Sequence, residues 1–482
     1  MVVSTQKHQE KNNQENYIMS SNQPFGQSFG QATSSSSSSS SITHTLSIPE
    51  SDEIGITLNP YQGGQATPRE VQDLRNPNKR IPVAKTGKIL KKMKSITNAL
   101  IGADSDNGKF PGAHVVSLTR KGLNDTLAKR NYYVCEKTDG VRYLLLCAMG
   151  ECFLIDRKDR YTWIKLFLPR KKMPSDKGEW PPLSGDLITK TTVLNNTLLD
   201  GELVVDTVPN PDGTGGTVQR LVFYVFDVMA VQQNLSQKPS ECSVVSLPLP
   251  DRLRLLHSHV LGPRHSFRMS SIWRDQFNNE LRQTNGTFEV KPKNMYRAED
   301  TKYVLETVLP NLPHEQDGLI YTPVNKRYTI GTDHALIKWK PPYLNSVDFF
   351  LNMQSGEQSI HYYLTVGERQ VDRGSYEQVP VCWVTLTDNE KIKLEIRGRV
   401  VVEAVWKKDR LTPYWNGSLK KPGDLVPGGW EIIRTRKDKK GSNDIRVFKK
   451  IEESIKDNVL EQDLIDVFSD VKTMTKKQKR KR

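Results

Sequence analysis

Short apolar runs separated by glycine, proline and aspartate dominate the middle of the chain. Many contain β-branched or aromatic residues and end at a charged cluster, a pattern typical of strands. Val141–Ala148 and Cys152–Asp156 are joined by Met149-Gly150-Glu151, which predicts a hairpin. The other predicted strands here are Tyr132–Cys135, Thr197–Val205, Leu221–Met229, Phe288–Met295, Gly318–Tyr321 and Leu336–Lys340. Because few long helical patterns interrupt them, we predict an α+β domain rich in antiparallel sheet.

Helical periodicity is confined to a few segments. The shorter predicted helices are Ile81–Thr97, Leu123–Arg130, Arg252–Val260 and Lys302–Val308. A longer helical pattern, Ile451–Val471, lies near the C-terminus. The segment Phe110–Leu118 reads as a turn followed by an extended apolar piece.

The pattern changes after Pro341-Pro342, where a linker is expected because residues before proline disfavour helix. Five short strand-like runs follow: Ser346–Met353, His361–Val366, Cys382–Leu386, Arg399–Trp406 and Gly429–Arg434. Five strands in roughly 90 residues suit a small OB-fold barrel. The segment Leu411–Gly428 is predicted to be a long loop within it.

These patterns divide the chain into five parts. Residues 1–75 are rich in Ser, Gln and Asn and bury too little apolar area to offset ordering entropy, so we predict a disordered tail. Residues 76–343 form the α+β domain and 344–450 the barrel. Residues 451–471 are predicted to be a helix that packs back on the first domain, and 472–482 a basic tail.

The net charge of the chain says more about its partners than the rest of its composition does. A formal net charge of +15 favours a polyanionic partner, although a solvated basic surface would also account for it. No run of about 18 apolar residues predicts a membrane span. The N-terminal segment has neither the apolar core of a secretory signal nor the arginine bias of a mitochondrial presequence.

Two further features bear on the compartment. The five cysteines form no CxxC pair, which disfavours a zinc site, and three of them lie in apolar runs that predict core positions in a reducing compartment. Six of the eight residues of Thr475–Arg482 are basic. Such a run is typical of a nuclear-import signal, a nucleic-acid-binding tail or a solvated terminus, and we predict nuclear import.

The stretch Tyr133–Arg142 (YVCEKTDGVR) places a lysine between two carboxylates and beside apolar segments. An ion-paired lysine is the ordinary interpretation of Lys137. The turn at Asp139-Gly140 favours a chemical role instead, because glycine lets the backbone approach a ligand closely.

Charged clusters also end other apolar runs. They are Asp156-Arg157, Asp200-Gly201-Glu202, Glu315-Gln316-Asp317-Gly318 and Lys338-Trp339-Lys340. Charges beside a core are costly unless they serve one another or a ligand. Cations and carboxylates together suit a triphosphate with a divalent metal, and such cations would also activate a lysine nucleophile. GxxxxGK[ST] and GxGxxG motifs are absent, so side chains would hold the phosphates.

Six short motifs follow one another in a fixed order. They are KTDG at Lys137–Gly140, DGE at Asp200–Glu202, LVFYVFD at Leu221–Asp227, EQDGLI at Glu315–Ile320, KWK at Lys338–Lys340 and RKDK at Arg436–Lys439. The set resembles the covalent nucleotidyltransferases, which comprise mRNA guanylyltransferases (capping enzymes) and polynucleotide ligases. FPGAHVVSL, CFLIDR and the C-terminal RxDK resemble the capping branch. Since no HCx5R phosphatase motif is present, the chain resembles the single-activity, fungal type.

The resemblance implies a role for each matching residue. Lys137 would attack the α-phosphate of GTP, release pyrophosphate and carry GMP as a phosphoramidate until it passes to 5′-diphosphate RNA. The residues implied to bind the nucleotide are Arg142 and Arg157 (ribose), Glu202 (ribose hydroxyls), Phe223 or a nearby aromatic (stacking on guanine), Lys293 (guanine), and Lys338 and Lys340 (α-phosphate).

The same resemblance implies a metal and a movement. Glu315 and Asp317 would bind a divalent metal, Mg²⁺ or Mn²⁺, or a phosphate. Arg436, Asp438 and Lys439 would reach the β- and γ-phosphates from the barrel when the two domains close. The implied partners are an RNA triphosphatase subunit and the phosphorylated C-terminal tail of RNA polymerase II, in the nucleus and without a membrane.

Two other functions remain open at this point. An ATP-dependent polynucleotide ligase would share the motifs and the two-domain plan. A non-catalytic nucleic-acid-binding module could use the barrel and the basic tails, but it would have no need of Lys137.

Overall fold

A computed structural model describes residues 87–103, 108–164, 166, 168–172, 193–210, 213, 215–269, 288–356, 360–370, 375–394, 399–419 and 422–469. The predicted disordered tail (1–75) and the basic tail (472–482) lie outside these residues, as do residues 81–86 of the first predicted helix. Within them, no helix is long and apolar enough to cross a membrane.

The first domain contains two sheets and several short helices. Its strands are β1 (Ala113–Ser117), β2 (Tyr132–Thr138), β3 (Val141–Ala148), β4 (Glu151–Ile155), β5 (Tyr161–Ile164), β6 (Thr197–Pro209), β7 (Thr217–Ala230), β8 (Glu289–Pro292), β9 (Tyr296–Arg297), β10 (Gln316–Pro323) and β11 (Gly331–Trp339). Its helices are α1 (Lys88–Ile101), α2 (Arg120–Gly122, continued by Leu123–Leu127), α3 (Leu249–Leu256, continued by His257–Leu261), α4 (Gly262–Arg268) and α5 (Thr301–Tyr303, continued by Val304–Val308).

The larger sheet has the order β5-β4-β3-β6-β7-β8 and is buried on both faces. Successive residues of β3 point to opposite sides, because side chains alternate along a strand. Leu145 packs in a core covered by α3, whereas Leu144 packs in a second core covered by α1. Burial on both faces explains why β3 is a continuous apolar run rather than an alternating one.

The smaller sheet has the order β1-β11-β10-β2-β9. Its strands β2, β10 and β11 pair antiparallel, as the sequence predicted. Two pairs in the domain are parallel, β1 with β11 and β7 with β8, and the other strand pairs are antiparallel, as expected for a domain rich in antiparallel sheet. The predicted α+β class is confirmed.

The second domain contains a five-stranded antiparallel sheet of the order β14-β13-β12-β15-β16. These strands are β12 (Ser346–Ser355), β13 (Ile360–Arg369), β14 (Tyr376–Val384), β15 (Val400–Pro413) and β16 (Leu425–Thr435), with helix α6 (Asp388–Lys393). Among the described residues the two edge strands are not hydrogen-bonded to each other. The sheet is consistent with an OB fold without a closed ladder.

The predicted loop Leu411–Gly428 begins and ends in strand, because β15 runs to Pro413 and β16 starts at Leu425. β15 and β16 continue past Lys407 and pair again from Leu411 with Pro427 to Pro413 with Leu425. A break in register between Lys407 and Leu411 hides this pairing from a simple alternating pattern. The loop prediction was therefore wrong about the length of both strands.

The predicted C-terminal helix Ile451–Val471 is two helices. Helix α7 (Ile445–Asp457) ends at Asn458, whose φ of 46° is left-handed and stops the helix. The next helix, α8, covers residues 461–469. Phe448 of α7 packs in the core of the second domain, whereas Phe468 of α8 packs in the core of the first domain. Because the helix breaks at Asn458, the C-terminal segment packs against the cores of both domains.

The three cysteines of the apolar runs occupy the core positions that the sequence predicted. Cys135, Cys147, Cys152 and Cys242 are buried, and all five cysteines are free thiols.

Candidate active site

Lys137 lies near the end of β2, where the smaller sheet brings two other motifs beside it. β2 pairs with β10, so Gln316 faces Thr138 and the next residue of β10, Asp317, reaches the lysine. The Lys137 Nζ lies 2.6 Å from Asp317 Oδ1. The Asp139 amide donates to the Glu315 carbonyl across 3.0 Å, which fixes the turn that follows the lysine.

The KWK motif lies on β11, beside β10 on its other edge. Lys338 belongs to the strand, Lys340 follows one residue after its end, and both lysines line the cavity around Lys137. Lys340 forms an ion pair with the second oxygen of Asp317, so this carboxylate holds two lysines at once. Burial lowers the pKa of Lys338, and the charges of Lys137 and Lys340 lower it further against the opposing charge of Asp317.

A buried lysine closes the bottom of the same cavity. The Lys293 Nζ donates to Thr138 Oγ1 across 2.6 Å and lies 3.7 Å from Glu136 and 3.8 Å from Glu202. Burial acts to lower the pKa of Lys293, but the two carboxylates outweigh it and the pKa is raised. Thr138 in turn donates to Glu202. A buried cation that stays protonated can donate hydrogen bonds to a polar ligand.

An arginine–aspartate pair forms one wall. The Arg142 guanidinium donates from Nε to Asp200 Oδ1 across 2.9 Å and from Nη2 to Asp200 Oδ2 across 2.5 Å. It also donates to the Ala113 carbonyl, and Tyr328 donates to Asp200. Most donors of Arg142 are therefore used inside the protein. This geometry favours a positioning role over the ribose contact expected from the sequence.

The aromatic residue of the LVFYVFD motif that lines the cavity is Phe226 and not Phe223. Phe223 is fully buried in the core, 5.8 Å from the Phe288 ring, so of the two options that the sequence offered, Phe223 or a nearby aromatic, the nearby aromatic is the one at the cavity. The register of β6 on β7 shifts between Asp200 and Gly201, which leaves Phe226 as an extra residue in the ladder. Such a bulge turns a side chain towards the opposite face.

Phe226 is bracketed by cations. The Arg142 Cζ lies 5.4 Å from its ring centroid and the Lys293 Nζ lies 5.9 Å from it. Both distances are within the range of cation–π attraction. Phe226 thus belongs to the aromatic motif that the sequence identified, at a position that the alternating pattern did not indicate.

These side chains line one cavity of about 370 Å³. Lys137, Glu202, Lys293, Lys338 and Lys340 all contribute to it. Arg157, on the turn after β4, lines it as well, and no hydrogen bond to a described residue holds its guanidinium. The cavity has the size of a small-molecule site, with cations at one end and a buried lysine and an aromatic ring at the other.

Family models identify both domains. Residues 77–342 match the model described as the catalytic domain of mRNA capping enzyme, and residues 344–465 match the model of its C-terminal domain.

The chain belongs to the mRNA capping enzyme family.

Three fungal relatives match this chain over most of their own length. The mRNA-capping enzyme subunit alpha of Neurospora crassa is 29% identical and the match covers 77% of this chain and 88% of the relative. The subunit of the same name from Candida glabrata is 30% identical over 81% of this chain and 87% of the relative. That of Saccharomyces cerevisiae is 30% identical over 80% and 84%.

The C-terminal motif of the capping family lies apart from the cavity in this structure. Arg436 donates to Asp438 and to Asp348, with Nη1–Oδ1 at 2.9 Å for the latter. Lys439 forms an ion pair with the same Asp348. None of the three motif residues lines the cavity around Lys137. The sequence grouped them with the nucleotide site, but here they bind carboxylates of their own domain.

The carboxylates predicted to bind metal do not form a metal cage. Asp317 is engaged by two lysines, and Glu315 is exposed. No group of three or more His, Cys, Asp or Glu among the described residues is placed to hold a metal ion. The protein side chains alone do not fit a resident metal, so a divalent ion would enter with the phosphates of its nucleotide, as Mg²⁺ commonly does.

Sequence reasoning missed several residues of the site. Thr138 and Asp200 lie inside the motifs but were given no role. Asp227, the last residue of the LVFYVFD motif, was given no role either, and Tyr328 and Arg252 were not singled out, although Arg252 binds Asp227 at 2.7 Å and all three residues line the cavity. Asp200 and Asp227 each interrupt an apolar strand, and a carboxylate in an apolar strand is the signal that would have indicated them.

Proposed function

We propose that this chain is the guanylyltransferase of mRNA capping. It transfers GMP from GTP to the 5′-diphosphate end of RNA through a covalent bond to Lys137. The observation that carries the proposal is the position of Lys137 in the cavity, 2.6 Å from Asp317 and beside the lysines of the KWK motif. Membership of the capping family supports the same reaction.

In the first step the Lys137 amine attacks the α-phosphorus of GTP. The new N–P bond forms as the bond from phosphorus to the oxygen of pyrophosphate breaks. The lysine must lose a proton to attack, and Asp317 is a carboxylate within hydrogen-bond reach of that nitrogen. Lys338 and Lys340 line the same cavity and would stabilise the negative charge on the phosphate oxygens.

The other end of the cavity would hold the nucleoside. Phe226 offers a ring for stacking on the base, and Lys293 offers protonated donors for an acceptor on it. Glu202 would accept from the ribose hydroxyls, and Arg157 lies free of hydrogen bonds to the described residues at the same cavity. These ligand contacts remain predictions.

In the second step the RNA 5′-diphosphate takes the GMP. A β-phosphate oxygen forms the new P–O bond as the bond from Lys137 Nζ to phosphorus breaks. The lysine leaves with the electron pair and takes a proton. A divalent ion carried by the nucleotide would neutralise phosphate charge when bound, with Asp317 and Glu315 as nearby carboxylates.

Three finer proposals follow from the family. Arg436, Asp438 and Lys439 would approach the β- and γ-phosphates when the second domain closes over the first. The chain would work with a separate triphosphatase subunit and with the phosphorylated tail of RNA polymerase II. We propose that the chain acts in the nucleus, where it would meet both partners, and the basic run Thr475–Arg482 supports import into that compartment.

The decisive experiment is adduct formation with α-labelled nucleotide. The wild-type chain is expected to form an acid-labile adduct with GTP, and Lys137→Ala is expected to form none. Lys129→Ala, a change at an exposed lysine, is the matched control and should label normally. Labelling by ATP and not GTP would instead indicate a ligase, and an adduct that survives in Lys137→Ala would exclude this nucleophile.

A further inference from the structure

A second cleft adjoins the nucleotide cavity behind the KWK motif. It measures about 270 Å³ and lies between β11 and α7, that is, between the two domains. Lys338 and Lys340 line both the cleft and the nucleotide cavity. The two spaces therefore meet at these lysines.

The chemistry of the cleft is cationic. A third lysine, Lys450, enters it from α7, one turn from Val447 and Ser454 on the same helix face. The described side chains that line the cleft include three lysines and no aspartate or glutamate. Serine, asparagine and apolar side chains complete the lining, and Asn345 donates to Ser454 across 3.2 Å.

The neighbouring groove on the other side of Trp339 has the opposite character. It measures about 580 Å³, and Glu306 and Glu461 line it with no lysine or arginine among its described lining residues. Positive charge is thus concentrated on the side of β11 that faces the nucleotide cavity. Burial and like charge already lower the pKa of Lys338, so an anion bound here would relieve repulsion among the lysines.

The position of the cleft suits the second reaction step. In this arrangement of the domains Arg436 and Lys439 bind Asp348 of their own domain, and Lys450 is the cation that α7 places beside the KWK motif. An acceptor that attacks a phosphorus held near Lys338 and Lys340 must reach it from outside the nucleoside end of the cavity. The cleft opens on those same two lysines.

We propose that this cleft binds the 5′-diphosphate end of the acceptor RNA and that Lys450 is a binding residue for that end. The inference rests on the proposed guanylyltransferase activity and assigns it a second subsite. Lys450 would contact a terminal phosphate while Lys338 and Lys340 hold the phosphate that carries GMP.

The test separates the two half-reactions in the full-length protein. Wild-type, Lys450→Ala, Lys450→Arg and Lys449→Ala proteins are labelled with GTP, freed of nucleotide and mixed with a synthetic 5′-diphosphate RNA. Lys449 is the matched control, because it is the exposed neighbour of Lys450 on α7 and does not line the cleft. Initial adduct formation is measured in parallel.

We expect Lys450→Ala to form the adduct at the wild-type rate and to need about tenfold more RNA for half-maximal transfer, the effect of one charge-assisted hydrogen bond. Lys450→Arg should keep most of the affinity, and Lys449→Ala should match wild type. A 5′-hydroxyl RNA of the same sequence should inhibit the wild-type and Lys450→Ala proteins equally, because it lacks the terminal phosphates.

Three results would overturn the inference. Unchanged transfer by Lys450→Ala would remove the cleft as acceptor site. Equal loss of adduct formation would assign the cleft to the leaving pyrophosphate of GTP, and equal loss in Lys449→Ala would indicate a general basic surface. Failure of the wild-type chain to label with GTP is a separate result that would remove the proposed function and the inference with it.

Discussion

Two clusters of basic residues and carboxylates differ in how their charges are balanced. Around Lys137, three lysines of the KTDG and KWK motifs share one close carboxylate, Asp317. In the second domain, Arg436 and Lys439 have Asp348, Glu403 and Asp438 as partners.

The first cluster is short of negative charge and the second is not. A cluster with surplus cations gains when an anion binds, because the anion lowers mutual repulsion. A balanced cluster must first give up its own ion pairs. The cavity around Lys137 can therefore bind phosphates in the present structure. The basic residues of the C-terminal motif must first break their ion pairs with carboxylates of their own domain.

The largest expected effect comes from removing the one shared carboxylate. Asp317→Asn should slow adduct formation by about 100-fold or more, in the range that general acid–base groups contribute. The reason is that Lys137 loses its nearest proton acceptor and Lys340 loses its partner. Single-turnover labelling with GTP measures the rate, and Glu306→Gln, at an exposed carboxylate, is the control. A rate within threefold of wild type would show that Asp317 is only a structural counter-ion.

The next prediction tests the balanced cluster by separating the two steps. Arg436→Ala should slow adduct formation from GTP by about 10- to 100-fold, since an arginine that neutralises a leaving phosphate acts in that step. Transfer of GMP from a preformed adduct to RNA should fall much less. Equal loss in both steps would contradict the assignment of this motif to the pyrophosphate side.

Stability should change in opposite directions in the two clusters. Lys338→Met is expected to raise the free energy of unfolding by about 0.5–1 kcal/mol, because it removes one of several cations that repel each other. Arg436→Met is expected to lower it by about 2 kcal/mol, because Asp348 and Glu403 lose a charged donor. Urea unfolding of the full chain measures both, and changes of the same sign would contradict the comparison.

The smallest effects should appear at opposite ends of the pH scale. Burial acts to raise the pKa of Glu403, but hydrogen bonds from Ser346 and Arg434 and the charge of Arg436 outweigh it, so its pKa lies below 4.5. Its contribution to stability is therefore present above pH 4.5 and is lost as the pH falls through the folded-state pKa. Glu403→Gln should lose less stability than wild type in that acidic window.

Lys338 should behave in the reverse way. Its pKa lies below 10.5 in the folded state, so its charge costs stability at neutral pH. That cost disappears as the pH rises from the folded-state pKa towards 10.5. Wild type should therefore gain stability relative to Lys338→Met in that alkaline window. Melting temperatures across pH measure both effects, and a constant difference between wild type and each variant would argue against them.

The sequence predicted most strands because the burial of a strand can be read from the order of apolar and polar residues within it. Val141–Ala148 was predicted at both ends, since a run buried on both faces is apolar throughout. The break at Asn458 was missed because the helical pattern continues across it, and only packing against two different cores shows why the chain turns there.

The sequence predicted the motifs that line the cavity, but it did not predict which aromatic residue of the LVFYVFD motif faces the cavity. A bulge between β6 and β7 decides that Phe226 and not Phe223 faces the cavity, and a bulge depends on pairing rather than on local composition. The partner of Arg436 was also beyond the sequence, because Asp348 is 88 positions away. Ion pairs between residues so far apart in sequence depend on how the strands pair, which the motif itself does not show.

The chain crosses between the domains twice, and this determines how they can move. It leaves the first domain at Pro341–Asn345 and returns to it after Asn458. Arg120 holds the return point by donating to the carbonyls of Asp457 and Asn458 and by pairing with Asp463. A domain connected to its neighbour at two points rotates most easily about the axis that joins those two points. The second domain should therefore approach the nucleotide by rotation about this one axis. Cleavage of the chain after Asn458 would leave the domain attached at one point and remove that restriction.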